Sequence, residues 1–329
     1  MAYAAKVILD SISSAGHRLT SFEITLPRIV LAEFNTHRMF SRNSASSRAI
    51  PVEKMIRMVE EDPYIPDTWG KNQKGMVAEQ DLSPIEQQTC ENVWLKGRDE
   101  AVVTAKRLLE IGVHKQLTNR LLEPFMWHTI LVTATEWSNF FNLRDNKSAH
   151  PAIQKPAAMM KELYGASRPT LLQEGQWHMP YVSGTEDELA FSDQDPAALP
   201  REDAKKVSSG RAARLSYLTH DKRRDLNEDV RLHDGLLTGG HMSPFEHVAR
   251  PMTPEELDVY RMTHVVLEGG FRADTRTVGY QAGDTVMFRG IVRKVISVRT
   301  THFCGNFDGW MQYRKEIPYE EDILASRAS

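Results

Sequence analysis

The order of apolar and polar positions at the start of the chain predicts a pair of strands. Two apolar runs, Lys6–Leu9 and Phe22–Leu31, lie on either side of a polar turn at Ser11–His17. This arrangement is typical of a β-hairpin. Pro27 is expected to start a helical turn after the second run.

Helical patterning dominates the middle of the chain. Over Gln87–Ile111 apolar residues recur at helical spacing, and Gly112 is a typical stop signal. Loops are expected over 62–83 and over 180–200. The same criteria predict helices over 52–60, 115–122, 126–143, 202–217 and 226–237.

The pattern changes to β near the C-terminus. Thr, Val and Ile are frequent over Val265–Phe303, where glycines mark the turns. The segment 305–315 is predicted to be a turn that leads into a helix. Two interpretations of the β segment are open: an insertion that covers apolar surface, which we favour, or a wall of a ligand site.

One apolar stripe in the predicted helix 126–143 ends in a charge. Ile130, Ala134, Trp137 and Phe141 recur at helical spacing, and the next step is Arg144. A guanidinium at the edge of an apolar face is costly unless it has an anionic or polar partner. We therefore expect Arg144 either to face a ligand in a cleft or to cap the C-terminus of its own helix.

Composition and charge narrow the function classes. The chain has 329 residues, 41% apolar and 26% charged, with a formal net charge of −3, so it has no global field to attract nucleic acid. No stretch approaches the roughly 18 apolar residues of a membrane helix, and the N-terminus lacks a signal-peptide core. Cys90 and Cys304 form no disulfide framework. We expect a cytoplasmic protein with no nucleic-acid partner and no membrane partner.

Common catalytic signatures are missing from the sequence. It contains no GxGxxG after a strand, no GxxxxGK[ST], no HExxH and no GxSxG. The 12 histidines include no i, i+4 pair beside a carboxylate. The sequence therefore predicts no metal site.

Three polar clusters are candidates for a site. Thr36–Arg48 contains three arginines, a histidine and five hydroxyl side chains, which suit a phosphate-bearing ligand, although a solvated basic loop has the same composition. Thr133–Arg144 joins core aromatic residues to Asn139 and Arg144. Gly239–His247 is a glycine-terminated helix end followed by a polar turn.

Together the clusters resemble the flavin-dependent thymidylate synthases. In that family the blocks similar to 211–216 and 241–247 come before the arginine cluster, whereas here they come after it. The resemblance therefore implies a circular permutation, which is tolerated where termini lie close together at the surface. The matching residues are His37, Arg38, Ser41, Asn43, Ser46 and Arg48, the helix end Asn139–Arg144, the blocks Arg211–Ser216 and His241–His247, and Arg120 before Leu121–Pro124.

The resemblance implies an α+β fold of the flavin-dependent thymidylate synthase type, circularly permuted, with a small β-rich C-terminal insertion. The permuted blocks are 5–60, 98–165 and 203–250. They imply a catalytic domain at 1–250. A C-terminal extension, with the β-rich unit and a final helix, is implied at 251–329.

The implied activity is reductive methylation of dUMP to dTMP. In the family, FAD passes hydride, methylenetetrahydrofolate supplies the carbon and NADPH restores the flavin. Neither cysteine has a nucleophile context, which agrees with the flavin route because the classical thymidylate synthase attacks with a thiolate. The family builds its sites from several chains, so a homotetramer with shared active sites is expected.

Site residues are implied by the matched positions. Arg144 is expected at the pyrimidine as the catalytic residue, and His241 on the folate side. FAD contacts are expected from His37, Arg38, Asn139 and Ser243. Nucleotide contacts are expected from Glu33, Ser44, Ser46, Ser47, Arg48 and Arg120.

Departures from the family pattern keep other functions open. Thr36 stands where the family has an arginine, Glu33 replaces a glutamine and Ser44 replaces a glutamate. One alternative is therefore a methyl- or hydroxymethyltransferase for another pyrimidine nucleotide such as dCMP. Another is a non-catalytic nucleotide-binding homologue. RNA binding is a third alternative, which the net charge disfavours.

Overall fold

The computed structural model describes residues 2–182, 201–217, 225–276 and 279–317. Most of the loop predicted over 180–200, and the chain after 317, lie outside these residues. The helices are α1 (Leu31–Asn35), α2 (Val52–Glu61), α3 (Pro84–Ile111), α4 (Lys115–Thr118), α5 (Ser138–Arg144), α6 (Pro151–Ala166), α7 (Arg201–Tyr217), α8 (Leu226–Gly239), α9 (Pro254–Tyr260) and α10 (Tyr313–Glu316). The strands are β1 (Ala4–Ser13), β2 (Arg18–Pro27), β3 (Ser41–Ser44), β4 (Trp127–Ala134), β5 (Thr170–Leu172), β6 (Ala249–Pro251), β7 (Met262–Leu267), β8 (Phe271–Thr275), β9 (Thr285–Phe288), β10 (Ile291–Thr301), β11 (Phe303–Cys304), β12 (Phe307–Asp308) and β13 (Trp310–Gln312).

A five-stranded sheet in the order β3-β4-β2-β1-β5 forms the centre of the mixed α and β fold. The predicted hairpin is confirmed: β1 and β2 are antiparallel, with Ala4 opposite Thr25 and Ile12 opposite Arg18. β4 pairs antiparallel with β2 and β3, and β5 runs parallel to β1. The edge strand β3 therefore carries the middle of the Thr36–Arg48 cluster.

The helix predicted over 126–143 is wrong in its first half, where the chain forms β4. Both faces of this strand are buried: Ile130 packs in the core that includes α5 and α6, and Leu131 packs on the opposite side against Ala212 of α7. A strand buried on both faces has a continuous apolar run, which periodicity alone does not separate from a helix.

Most of the other predicted helices are confirmed, with small shifts at their ends. α3 begins earlier than predicted because Ser83 and Glu86 form a capping box around Pro84. α6 was not predicted, since Pro151 and Pro156 interrupt its pattern. Among the described helices, none has the length and apolar character that crossing a bilayer requires.

The C-terminal part contains the expected β structure. β7 to β10 form an antiparallel sheet in the order β8-β7-β10-β9, which we call the C-terminal sheet. A further pair, β6 with β13, places Ala249 opposite Gln312. Backbone pairing therefore joins residues on both sides of the domain boundary expected at position 250.

A chain of buried polar side chains crosses the central sheet. His178 lies 2.9 Å from Ser11 Oγ through Nδ1 and 2.8 Å from Ser21 Oγ through Nε2. Ser21 Oγ lies 2.6 Å from Thr133 Oγ1, which lies 2.8 Å from Nδ1 of His247. Burial lowers the pKa of both histidines to about 3. Both rings are therefore neutral at pH 7.

These two histidines predict acid sensitivity. Their pKa in the unfolded chain is about 6.5, so between about pH 6.5 and pH 3 the unfolded state binds more protons than the folded state. The contribution of the two neutral histidines to the free energy of unfolding is therefore fully present above about pH 6.5. It decreases as the pH falls, by up to about 1.4 kcal/mol per pH unit for each histidine.

Urea unfolding between about pH 7 and pH 5 measures this dependence, and the window lies above the range where carboxylates titrate. His178→Gln should reduce the slope of unfolding free energy against pH. His114→Gln, at an exposed histidine, is the matched control and should leave the slope unchanged. A slope that is the same in His178→Gln and the wild type would contradict the prediction.

A second prediction concerns the contact between α7 and α8. A Cβ at Gly210 would lie 2.3 Å from the carbonyl oxygen of Asp229, so Gly210→Ala should separate the helices and cost roughly 1–3 kcal/mol. Gly235→Ala is the control, because open space surrounds that position, and it should stabilise by about 0.5–1 kcal/mol. Thermal unfolding compares the two. A Tm of Gly210→Ala equal to that of Gly235→Ala would show that α7 and α8 can move apart without loss of stability.

Candidate active site

A cavity of about 770 Å³ lies between the turn after α1, the start of α5 and the C-terminal sheet. This volume suits a cofactor or a small-molecule substrate. The first wall consists of Thr36, His37, Arg38, Met39, Phe40, Glu136, Asn139 and Phe140. The second consists of His264, Val265, Val266, Arg272, Asp274, Ser297, Arg299, Thr301 and Phe303.

The first wall is built on the turn that follows α1. The buried His37 ring stacks on Phe40, with 5.6 Å between ring centroids, and meets the edge of Phe140 at 4.9 Å. Arg42 closes the turn by donating from Nη1 to the carbonyl oxygens of Asn35 and His37, at 3.0 and 3.2 Å. One arginine of the Thr36–Arg48 cluster therefore has a structural role.

Arg144 binds the same turn with three hydrogen bonds. Its Nε donates to Nε2 of His37 at 3.0 Å, and its Nη2 donates to the carbonyl oxygen of Glu33 and to Thr36 Oγ1, both at 3.1 Å. The His37 ring must therefore be unprotonated at Nε2. Burial lowers the pKa of His37 to about 4, assisted by the positive charges of Arg144 and Arg42, so the accepting form is present at neutral pH.

Arg144 is the last residue of α5 and lies outside the cavity lining. It does not extend an apolar helical stripe, because Ile130 and Ala134 belong to β4. It does cap a helix, but the capped helix is the neighbouring α1, through the Glu33 carbonyl. Within the part of the chain that the structure describes, its Nη1 donates to no residue. One edge of the guanidinium is therefore open to a ligand.

The second wall is the C-terminal sheet, which an ion pair joins to the first wall. Arg299 donates from Nη2 to Oε1 of Glu136. His264 on β7 lies 2.8 Å from both Asp274 Oδ1 and Thr301 Oγ1. The interpretation that this β segment only covers apolar surface is therefore wrong for its inner face, which lines the cavity.

Two arginines of the lining have no polar partner within the described chain. Arg38 on the first wall and Arg272 on β8 make no hydrogen bond or ion pair to any described residue, whereas Arg299 is paired with Glu136. Guanidinium groups on an aromatic-lined cavity favour an anionic ligand, which their forked donors bind well.

The expected nucleotide-binding serines lie in and after β3, outside this lining. Asn119 holds the turn after β3 by donating from Nδ2 to the carbonyl oxygens of Ser47 and Ile50, at 2.7 and 2.9 Å. The Ser47 hydroxyl is buried and has no hydrogen-bond partner in the described chain. Buried polar groups are nearly always paired, so this unpaired hydroxyl is an exception within the described chain.

Arg48 and Arg120 lie near the same turn. Arg48 is exposed and has no ion-pair partner among the described residues, and Arg120 pairs with Glu123 at 2.8 Å while remaining half exposed. Asn119, the residue before Arg120, bonds to Ser47, the residue before Arg48, so the two segments that carry these arginines are in contact.

The helix α7 and the Gly239–His247 cluster contact the edge strand β3. Asn43 Nδ2 donates to the carbonyl oxygen of Ala212 at 3.2 Å, and Ser41 Oγ donates to Oε2 of Glu246 at 2.9 Å. Residues far apart in the chain but joined in the family resemblance are therefore neighbours in space.

Four matched residues of these blocks lie outside the cavity lining. Ser243, expected at FAD, and His241, expected on the folate side, are exposed. Arg211 and Arg214 pair with the carboxylate of Asp229, which is fully buried. These two arginines hold α7 against α8, a structural role that the motif does not distinguish from ligand binding.

Sequence reasoning missed the half of the cavity that the C-terminal sheet supplies. His264, Arg272, Asp274 and Arg299 lie outside every block of the resemblance. The β pattern predicts strands here. Nothing in the pattern indicates which face of the sheet meets the site.

Comparisons with known proteins give one family and a set of weakly similar structures. Residues 11–170 match the family model described as thymidylate synthase complementing protein. No curated protein matches the chain at a significant level. Among solved structures, the UMP/dUMP methylase PolB from Streptomyces cacaoi bound with 5-Br UMP is similar at 15% sequence identity and a TM-score of 0.42, over 50% of this chain and 89% of that chain. The same methylase bound with 5-Br dUMP is similar at 14% identity and a TM-score of 0.42, over 50% of this chain and 90% of that chain.

The matched range contains both partners of the hydrogen bond between Arg144 and His37. It therefore includes the Thr36–Arg48 cluster and the Asn139–Arg144 helix end. It does not include the C-terminal sheet. Residues 11–170 of the chain are therefore similar to the thymidylate synthase complementing protein family, the flavin-dependent thymidylate synthases, which are methyltransferase enzymes.

Proposed function

We propose that this chain catalyses FAD-dependent reductive methylation of dUMP to dTMP, with methylenetetrahydrofolate as carbon donor and NADPH as reductant. One observation carries the proposal. His37, Arg38 and Asn139, which the family resemblance assigns to FAD, line one cavity, and Arg144 is hydrogen-bonded to its wall.

The chemistry of the cavity fits a flavin dinucleotide. Phe303 offers apolar surface to a ring system, the buried Phe40 and Phe140 lie in the opposite wall, and Arg38 and Arg272 offer donors to a diphosphate. When bound, FAD supplies the hydride transfer that side chains cannot perform. The residues of the chain bind the reactants, orient them and exclude water.

Arg144 is proposed to act on the pyrimidine ring. Its Nε and Nη2 are engaged in the turn after α1, which orients the guanidinium before any substrate binds and leaves the N–H groups of Nη1 for the ring. All three acceptors of Arg144 are neutral at pH 7, so its positive charge is not cancelled. A preorganised cation stabilises the negative charge that develops on the pyrimidine in the transition state.

The nucleotide phosphate is proposed to bind at the turn after β3, where the buried Ser47 hydroxyl is unpaired within the described chain. Asn119 joins this turn to the segment that carries Arg120, and hydroxyl and guanidinium groups are the donors that a phosphate requires. The proposed nucleotide contacts are Glu33, Ser44, Ser46, Ser47, Arg48 and Arg120.

A cytoplasmic homotetramer with shared active sites is also proposed. Ser243 and His241 are exposed and lie outside the cavity of their own chain, which supports contacts to the flavin and folate of a neighbouring subunit. The contacts of α7 and the Gly239–His247 cluster with β3 support a circularly permuted order of the family's blocks.

A second candidate is a methyl- or hydroxymethyltransferase for another pyrimidine nucleotide such as dCMP. Oε2 of Glu33 is buried and has no partner among the described residues. A carboxylate oxygen would accept a hydrogen bond from an exocyclic amino group, which cytosine has and uracil lacks. Tritium release from C5-labelled dUMP and dCMP separates the two candidates.

The visible spectrum with and without added FAD tests the cofactor. The wild-type protein should retain yellow flavin through gel filtration. Arg38→Ala and Arg272→Ala should each weaken FAD binding by about tenfold to a hundredfold, because each removes a charge-assisted hydrogen bond. Arg276→Ala, at an exposed arginine outside the cavity lining, is the control.

Riboflavin lacks the diphosphate and should bind the wild type and both cavity variants equally. A wild-type protein that takes up no FAD would support a non-catalytic homologue. An Arg38→Ala protein that binds FAD with the wild-type dissociation constant would show that the diphosphate assignment is wrong.

Arg144→Lys should keep the fold and the flavin but reduce turnover by about 100-fold or more. Lysine keeps the charge but lacks the planar fork, so it cannot bind His37 and the Glu33 carbonyl while presenting a free edge. The rate of dTMP formation measures the effect, and oxidation of NADPH by oxygen should change less.

The control is Arg107→Lys, at an exposed arginine on α3. Tm values of both variants separate loss of packing from loss of catalysis. Methylation by Arg144→Lys at the wild-type rate would leave Arg144 a cap of α1 only.

A further inference from the structure

Three side chains with metal-ligating atoms meet where the β1–β2 hairpin touches the C-terminal part of the chain. His17, His302 and Asp308 bring one ligand atom each to within 4.8 Å of one another. Nδ1 of both histidines lies 3.8 Å from the same carboxylate oxygen, Asp308 Oδ1. None of the three lines the cavity or belongs to the proposed active site.

The distances between these ligand atoms fit a metal ion bound between the side chains better than direct hydrogen bonds. A distance of 3.8 Å is too long for a hydrogen bond. In a tetrahedral zinc site with bonds of about 2.1 Å, two ligand atoms lie about 3.4 Å apart, which a small tilt of each ring would give. Two imidazole nitrogens and one carboxylate oxygen are donors that zinc and similar divalent metals prefer.

An unpaired buried nitrogen is a second, independent observation. Nδ1 of His302 is buried and has no hydrogen-bond partner among the described residues. Buried polar atoms are nearly always paired, and this nitrogen is the atom that faces Asp308 Oδ1. Its position therefore points to a ligand that is not a protein group.

The cluster is held in place by surrounding contacts. The carbonyl oxygen of His17 accepts from Trp310 Nε1 at 3.2 Å, and a Cβ at Gly309 would lie 2.3 Å from the His17 ring, so the ring packs directly on that backbone. Asp308 Oδ1 accepts from the backbone N–H of His302 at 2.6 Å. The ligands are thus preorganised, which is a requirement of a metal site.

We propose that His17, His302 and Asp308 bind a divalent metal ion of the zinc class. Thr301 and Phe303, the neighbours of His302, line the cavity, and alternation along an extended chain directs His302 to the opposite side. The metal therefore has a structural role. It clamps the hairpin turn to the strand segment whose other side forms the cavity wall.

Metal content of the full chain tests the proposal. The purified protein is stripped with EDTA, incubated with Zn²⁺, desalted and analysed by mass spectrometry for bound metal. The wild type should retain a single equivalent, and Zn²⁺ should raise its Tm. Co²⁺ in place of Zn²⁺ should give the visible absorption of a protein-bound ion.

Asp308→Asn is the sharpest variant, because asparagine can still accept from the His302 N–H while losing the ligand charge. It should weaken Zn²⁺ binding by more than the roughly 10–100-fold that loss of an outer-shell partner costs, and His302→Gln should do the same. His114→Gln, at an exposed histidine elsewhere, is the control and should retain the single equivalent.

Two results would overturn the proposal. One is a wild-type protein that keeps only substoichiometric metal after desalting and shows no change of Tm with Zn²⁺. The other is a single equivalent retained by both Asp308→Asn and His302→Gln. Both readouts are independent of flavin binding and turnover, so they do not depend on the proposed function.

Discussion

The candidate site depends on a guanidinium that binds a neutral imidazole. Arg144 donates to Nε2 of His37, so His37 can fill this position only while it is uncharged. Burial and the nearby cations Arg144 and Arg42 keep it uncharged. The neutral ring then packs between Phe40 and Phe140 and holds the first wall of the cavity in shape. The positive charge of Arg144 remains available because its partners do not neutralise it.

Local signals made part of the fold predictable. The hairpin and α3 are encoded by alternation, periodicity and caps within short stretches, so the sequence predicts them. The sequence predicts a helix where β4 forms, because the burial of β4 comes from helices on both sides, and α7, which covers one of these faces, lies far along the chain. For Arg144 the sequence predicts only that the guanidinium needs an anionic or polar partner. The choice of His37, Glu33 and Thr36 depends on how α1 and α5 meet.

Motif spacing identifies residues more reliably than it identifies their roles. Arg211 and Arg214 match the family's block, yet both pair with the buried Asp229 and stabilise the contact of α7 with α8. Arg42 lies in the phosphate-like cluster, yet it caps the turn after α1. Arg38, in the same cluster, lines the cavity. Residue type is the same in every case, and the partners supplied by the fold decide which guanidinium is left for a ligand.

The end of β10 and the residues that follow it show how a segment outside the matched family range becomes part of the site. Ser297, Arg299, Thr301 and Phe303 all line the cavity, and their two-residue spacing is that of one face of an extended chain. Arg299 joins this face to Glu136, just before α5. His302 lies between two of these residues and turns to the β1–β2 hairpin, where Asp308 and His17 meet it. Alternate residues of a single extended segment thus line the cavity, and His302 between them faces the β1–β2 hairpin. The segment that forms this side of the cavity thus also contacts the hairpin at the start of the chain, although no hairpin residue lines the cavity.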